Sequence, residues 1–140
     1  MRNTSQVGEI ARTQVMAALA RQGKFLLLPL SDCRRYDFVF EEGEKFFRVQ
    51  CKTGHLARGA VVFNPCSVDS RSEKGRCIRK QYGGQVEFFG VYCPENHKVY
   101  LVPVSEAPSA SCSLRITPAR SGQVTGIRWA RDFEVNPEEV

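Results

Sequence analysis

The alternation of apolar and polar residues divides the chain into one helix followed by a series of strands. From Thr4 to Gly23, Val7, Ala11, Val15, Ala18 and Leu19 recur at helical spacing and form one apolar stripe. Thr4 or Ser5 can cap this helix, and Gly23 supplies its stop. Phe25 to Leu30 is a short, unbroken apolar run that reads as a buried strand, with Pro29 arguing for an edge position or an early end. In Tyr36 to Glu41, Tyr36, Phe38 and Phe40 alternate at period two, and Glu42, Gly43 and Glu44 form a tight turn into a second strand, Lys45 to Thr53. Ala60 to Asn64 is a further strand, and Ser67 to Gly84 is polar with few core candidates. Val86 to Cys93 and Lys98 to Val104 form a hairpin about Pro94 to His97. Ser105 to Ser111 reads as a linker, and Leu114 to Thr117 and Gly126 to Phe133 as short closing elements, with Trp129 anchoring the tail. This order predicts an α+β fold, a mixed central β-sheet flanked by helices with the N-terminal helix first, and one domain over residues 1–140.

Strand parity gathers the polar residues. Phe47, Val49 and Cys51 share one face of the second strand, and Phe46, Arg48, Gln50 and Lys52 share the other. With a two-residue turn, Asp37 stands opposite Gln50 if the loop is Gly43-Glu44, or opposite Arg48 if it is Glu42-Gly43. Either register puts Asp37 with Gln50 and Lys52. Such a group can hold a cation and a phosphate, because Asp37 is a hard oxygen ligand suited to Mg²⁺ and Lys52 can orient water or stabilise charge on a phosphorane-like transition state. An ordinary cross-strand ion pair between Asp37 and Lys52 is the competing reading of the same residues.

Composition narrows the partners. Twenty Lys and Arg against 15 Asp and Glu give a formal charge of +5, which favours a polyanion such as nucleic acid. The six cysteines contain no C-x-x-C pair, His55 and His97 stand apart, and a structural zinc site is disfavoured. The opening MRNTSQVGEI lacks the charged head and apolar stretch of a secretory signal, so a reducing, cytoplasmic setting is expected, nucleoid-associated when bound to DNA. No apolar run approaches the roughly 20 residues that cross a bilayer, so no membrane partner is expected.

The arrangement D-x(n)-Q-x-K behind a helix carrying Glu9 resembles the PD-(D/E)XK nuclease superfamily and, more narrowly, its group I intron-encoded homing endonucleases. The segments GEIARTQVMAAL, LPLSDCRRYDFVFEEGEKFFRVQCKTGHL, VEFFGVYCPENHKVYLVPV and GIRWARDFEV carry the likeness over most of the chain. The resemblance implies a restriction-endonuclease-like core with Glu9, Asp37, Gln50 and Lys52 as catalytic residues, and Asp37, Glu9 and the backbone carbonyl of Cys51 as metal ligands. Tyr36 replaces the usual proline, and Gln50 replaces the second acid. That glutamine is expected within the narrower family, with Glu9 supplying the missing charge. Gly8 is expected to let the helix approach the sheet closely.

The implied reaction is Mg²⁺-dependent hydrolysis of phosphodiester bonds in both strands of a long DNA site, leaving 5′-phosphate and 3′-hydroxyl ends, with Mn²⁺ able to substitute. A chain this small needs a homo-oligomer to span such a site, a dimer or the tetramer of the family. Arg34, Arg35, Arg48 and Arg58 surround the candidate site, and Arg71, Lys74, Arg76, Arg79 and Lys80 suit an arm tracking phosphates of double-stranded DNA. A structure-specific nuclease such as a Holliday junction resolvase, or a non-catalytic DNA-binding module, are the alternatives.

Overall fold

The structure, a computed structural model, describes residues 3–31, 35–68, 79–80, 86–108, 110–118, 121–122 and 126–136, with backbone alone at 67–68 and 79–80. Helix α1 (Thr4–Arg21) starts one residue earlier than Thr4 or Ser5 would cap it. Asn3 is the cap: its side chain accepts from the Gln6 amide at 2.9 Å, and the Gln6 side chain accepts from the Asn3 amide at 3.2 Å. The stripe buries Ala11, Val15, Ala18 and Leu19 and half-buries Val7. Gly23, at φ +85°, turns the chain away from the helix end.

Among the described residues the strands that follow are β1 (Phe25–Leu27), β2 (Phe38–Glu42), β3 (Lys45–Thr53), β4 (His55–Ala57), β5 (Ala60–Phe63), β6 (Ser67–Val68), β7 (Arg79–Lys80), β8 (Phe88–Cys93), β9 (Lys98–Pro103) and β10 (Cys112–Arg115). The central sheet has the order β1-β2-β3-β8-β9, with β3 and β8 parallel and the other pairs antiparallel. This is the mixed sheet of an α+β fold with its helix first. Helix α1 covers one face, packing Val15 and Leu19 among Phe38, Phe40, Val49 and Tyr92. Over β8 and β9 the opposite face is covered by a second sheet of order β10-β5-β4, whose Val61, Phe63, Cys112 and Leu114 meet Phe89, Val91, Tyr100 and Val102. Strands β6 and β7 pair with each other. The tail docks on β9, where Val135 is buried and its amide donates to the Val99 carbonyl at 2.8 Å. Trp129 is only half-buried, so Ala130 and Val135 do the anchoring expected of it.

Two sequence expectations change. The strand expected over Phe25 to Leu30 stops at Leu27, and it is an edge strand that is not buried: Phe25 is 74% exposed and Leu30 fully so. Burial failed here because the apolar cluster between the two sheets draws no residue from β1 or β2. The close approach expected of Gly8 belongs instead to Gly90 on β8. A Cβ on Gly8 would meet nothing within 4 Å, whereas one on Gly90 would lie 2.5 Å from Val15 Cγ1 and 3.0 Å from Val49 Cγ1. The helix therefore sits on the sheet at a notch made by Gly90.

The parallel pairing of β3 and β8 is clasped at its start. The Arg48 guanidinium grips both carboxylate oxygens of Glu87, with Nε 3.1 Å from each, while Glu87 Oε1 also accepts from the Arg48 amide at 2.8 Å. In return the Glu87 amide donates to the Arg48 carbonyl at 3.0 Å. The Arg48 hydrogen bond holds the Glu87 carboxyl below its ordinary 4.5 and raises Arg48.

Replacing Gly90 by Ala should lower the free energy of unfolding by about 1–3 kcal/mol through overpacking against Val15, whereas Gly8→Ala should stabilise the helix by up to about 1 kcal/mol; urea denaturation compares the two. Because the folded pKa of Glu87 is depressed, its contribution is present above the unfolded value and is lost as pH falls through the folded one. With the paired side chains 37% and 32% exposed, Glu87→Gln should cost under about 1 kcal/mol at neutral pH. The gap from the parent should close below pH 4.5, as unfolding curves across that range will show.

Candidate active site

The site grows from unequal strand lengths. Strand β2 has five residues and β3 has nine, paired from Glu42 opposite Lys45 to Phe38 opposite Val49. Gly43 and Glu44, at φ +56° and +68°, form the two-residue turn of the type whose central residues are both left-handed, which selects the Gly43-Glu44 register. Beyond Val49, β3 runs on without β2. Its backbone alternates sides: the Arg48 carbonyl accepts from Glu87 beside β8, and the Val49 carbonyl accepts from the Asp37 amide at 2.8 Å beside β2. The amide and carbonyl of Cys51 therefore both point into the fork where β2 has ended. Asp37, the residue before β2, fills that fork, and its Oδ2 accepts from the Cys51 amide at 2.8 Å.

Gln50 and Lys52 stand opposite Phe89 and Val91 of β8, on the face turned to the second sheet, as parity requires. Both are half-buried. Lys52 Nζ donates to the Cys66 carbonyl at 3.0 Å and lies 6.0 Å from the centre of the Phe89 ring. Burial holds its pKa below the ordinary 10.5, the charge of Arg35 pushes the same way, and Cys66 and Asp37 oppose them. Burial pushes the Cys51 thiol far up, Asp37 adds to that, and Arg12 opposes it. The thiol stays protonated, so Cys51 offers the site its backbone only.

On the helix side, Asp37 lines an open cavity of about 500 Å³ with Arg12, Thr13, Met16, Leu28, Pro29, Ser31 and Tyr36. Tyr36 precedes the strand proper and packs toward the cluster between the sheets, so it does not continue the Phe38–Phe40 alternation. Glu9 is exposed and lines a neighbouring cavity of about 290 Å³ with Gln6, Ile10 and Thr13. Thr13 is common to both cavities. The structure thus joins Asp37 to Cys51 by a hydrogen bond, sets Gln50 and Lys52 on either side of Cys51 along β3, and leaves Glu9 one cavity away along the helix.

The donor set fits a small hard cation in part. The Asp37 carboxylate and the Cys51 carbonyl are oxygen donors at the fork, and Mg²⁺ commonly takes one or two carboxylates and fills its other positions with water and substrate phosphate. Among the described residues no three His, Cys, Asp or Glu side chains cluster as a metal cage.

Of the cations expected to meet DNA, Arg35 is close enough to Lys52 to affect its titration. Arg48 is held by Glu87. Arg58 is exposed in the left-handed conformation (φ +52°) at the turn between β4 and β5, where its carbonyl accepts from Arg115 Nη1 at 3.1 Å. Arg34, Arg71, Lys74 and Arg76 lie outside the described residues; Arg79 and Lys80 are seen as the backbone of β7. Phe88 packs against the core with Phe40 and Phe47 at ring separations of 5.6–5.7 Å. Sequence reasoning missed Arg12 and Thr13 in the cavity walls. Their spacing of three and four residues from Glu9 was the available signal, since such residues share a helix face.

The PD-(D/E)XK endonuclease family model matches residues 2–136. A solved structure of the bacterial homing endonuclease I-Ssp6803I superposes with a TM-score of 0.70 at 23% identity, over 95% of this chain and 89% of that one. No curated protein matches the sequence. A family match across nearly the whole chain agrees with the helix, mixed sheet and forked strand pair described above, and the chain belongs to the PD-(D/E)XK endonucleases.

Proposed function

We propose that this endonuclease is a sequence-specific enzyme of the homing type that cuts both strands of double-stranded DNA with Mg²⁺, for which Mn²⁺ can substitute. The observation that carries the reading is the Asp37 carboxylate, hydrogen-bonded to the Cys51 amide in the fork, beside a desolvated Lys52. A divalent cation bound there would polarise the scissile phosphate and lower the pKa of water. Asp37 and the Cys51 carbonyl are its proposed ligands, with Glu9 contributing from the helix through a bound water. The hydrogen bond to Cys51 fixes the Asp37 carboxylate before any ligand arrives. Lys52, oriented by its hydrogen bond to the Cys66 carbonyl, stabilises charge that develops on the phosphate. Gln50 orients water through its amide without adding charge. Arg35 and Arg58, with Arg34 and the basic residues from Arg71 to Lys80, supply backbone contacts to the duplex.

Cutting both strands calls for two copies of one site, and we assign the contact between copies to the uncovered face of β1 to β3. Phe25, Glu41 and Phe46 form one row across these strands on the face away from α1, with Phe25 74% and Phe46 59% exposed. Leu27, Leu28 and Leu30 extend the apolar surface beside it. Contiguous apolar patches above a few hundred Å² mark interaction sites, and an open β1 edge can pair with its own copy about a two-fold axis.

Mapping DNA ends after incubation with a large DNA library in Mg²⁺ should reveal one cut site for the parent protein. Asp37→Asn, which keeps an acceptor for the Cys51 amide, and Lys52→Ala should each reduce that cleavage by about 100-fold or more; undiminished cutting by both would reject the site. In sedimentation velocity the parent should run as a dimer or tetramer and Phe46→Lys should shift toward monomer, while a monomeric parent at every concentration would reject the assembly.

A further inference from the structure

Cations flank the Asp37 carboxylate of the fork, and several cations among the described residues are already answered within the protein. Arg48 is held by Glu87, Lys24 by Glu42 at 2.7 Å, Lys98 by Glu134 at 3.1 Å, and Lys52 donates to the Cys66 carbonyl. Arg12 differs: among the described residues no carboxylate pairs with it, although Glu9 stands three positions earlier on the same helix. It is exposed, and it lines the cavity that contains Asp37. Lys52, next to Cys51 on β3, lies on the opposite face of the sheet, turned to the second sheet. The fork is therefore flanked by a cation on each face, with one negative charge between them.

Such a potential attracts an anion with several oxygens. We propose that Arg12 is a substrate-binding residue that grips a DNA backbone phosphate in the Asp37 cavity from the helix side while Lys52 faces the fork from the other. An arginine suits this position because its planar guanidinium can donate two parallel hydrogen bonds to phosphate oxygens, which a lysine ammonium cannot do in the same fixed geometry. The cavity has room for it: about 500 Å³, with Met16, Leu28 and Pro29 as apolar walls that direct the charged group toward Arg12 and Asp37. The phosphate would also bring the anionic oxygens that Gln50, in place of an acid, cannot give to a cation in the fork. This assignment rests on the proposed DNA-cleaving function, and a metal-free binding measurement separates the two.

The test compares the parent, Arg12→Ala, Arg12→Lys and Arg21→Ala for binding to a duplex carrying the mapped cut site, in EDTA across a salt series. Arg21, an exposed cation in the last turn of the same helix, controls for loss of charge alone. A phosphate contact contributes about 0.9 to the slope of log affinity against log salt, so Arg12→Ala should lower the slope by about one while Arg21→Ala leaves it unchanged. In Mg²⁺, Arg12→Ala should cut at least tenfold more slowly, with Arg12→Lys recovering part of the salt slope but little of the rate. Equal slopes for the parent and Arg12→Ala, or equal losses for Arg12→Ala and Arg21→Ala, would overturn the assignment while leaving a cleaving parent as an endonuclease. A parent that neither binds nor cuts DNA would overturn the function itself, and Arg12 with it.

Discussion

The hydrogen bond from the Cys51 amide to Asp37 closes a gap that the sheet itself opens. A nine-residue strand next to a five-residue partner must leave backbone groups without a ladder, and a half-buried amide left so would cost free energy. Asp37 answers this need with a side chain in place of a strand. The same carboxylate that completes the sheet is then the anionic centre of the candidate site. Sheet completion and the charge of the candidate site thus reside in one group, held in place by its hydrogen bond to the Cys51 amide.

Everything around that fork serves to hold β3 in place. Helix α1 presses on one face through the notch at Gly90, and the second sheet presses on the other. Gly54 lets the chain leave β3 for β4 in tight quarters, since a Cβ there would lie 2.8 Å from Val61 Cγ1 and 3.0 Å from Val91 Cγ1. The Arg48–Glu87 clasp fixes where β8 begins beside β3. Paired with β8 along one edge and held by Asp37 where β2 has ended on the other, the second half of β3 has little freedom to shift, so Gln50, Cys51 and Lys52 keep their directions.

Much of this was legible in the residues because it is local. Strand β3 falls over Lys45–Thr53 as its alternation predicted, and period-two parity alone put Asp37 with Gln50 and Lys52. What escaped depends on partners far along the chain. The apolar run from Phe25 looked buried, but burial requires a covering layer, and the second sheet lies over β8 and β9 instead. Gly8 looked like the contact point because it sits on the helix, whereas the close approach is set by Gly90, on a strand far downstream. Strand β4, three residues long, carries too little periodicity to be seen, and its pairing to β5 comes from the turn at Arg58 and Gly59. Arg12 was visible in the helix but acquired meaning only when the cavity wall did.

The two-residue turn at Gly43 and Glu44 has a consequence for how such a protein can vary over generations. Loops elsewhere can lengthen at small cost, because closure entropy grows slowly with length. Here one inserted or deleted codon would slide β2 along β3 by a residue and turn Asp37 to the other side of the sheet. Drift in sequence is tolerable at this turn wherever left-handed backbone can be kept, but drift in length is not. Among related chains, the spacing between the aspartate and the Q-x-K strand should therefore change in steps of two residues, or be compensated by a bulge.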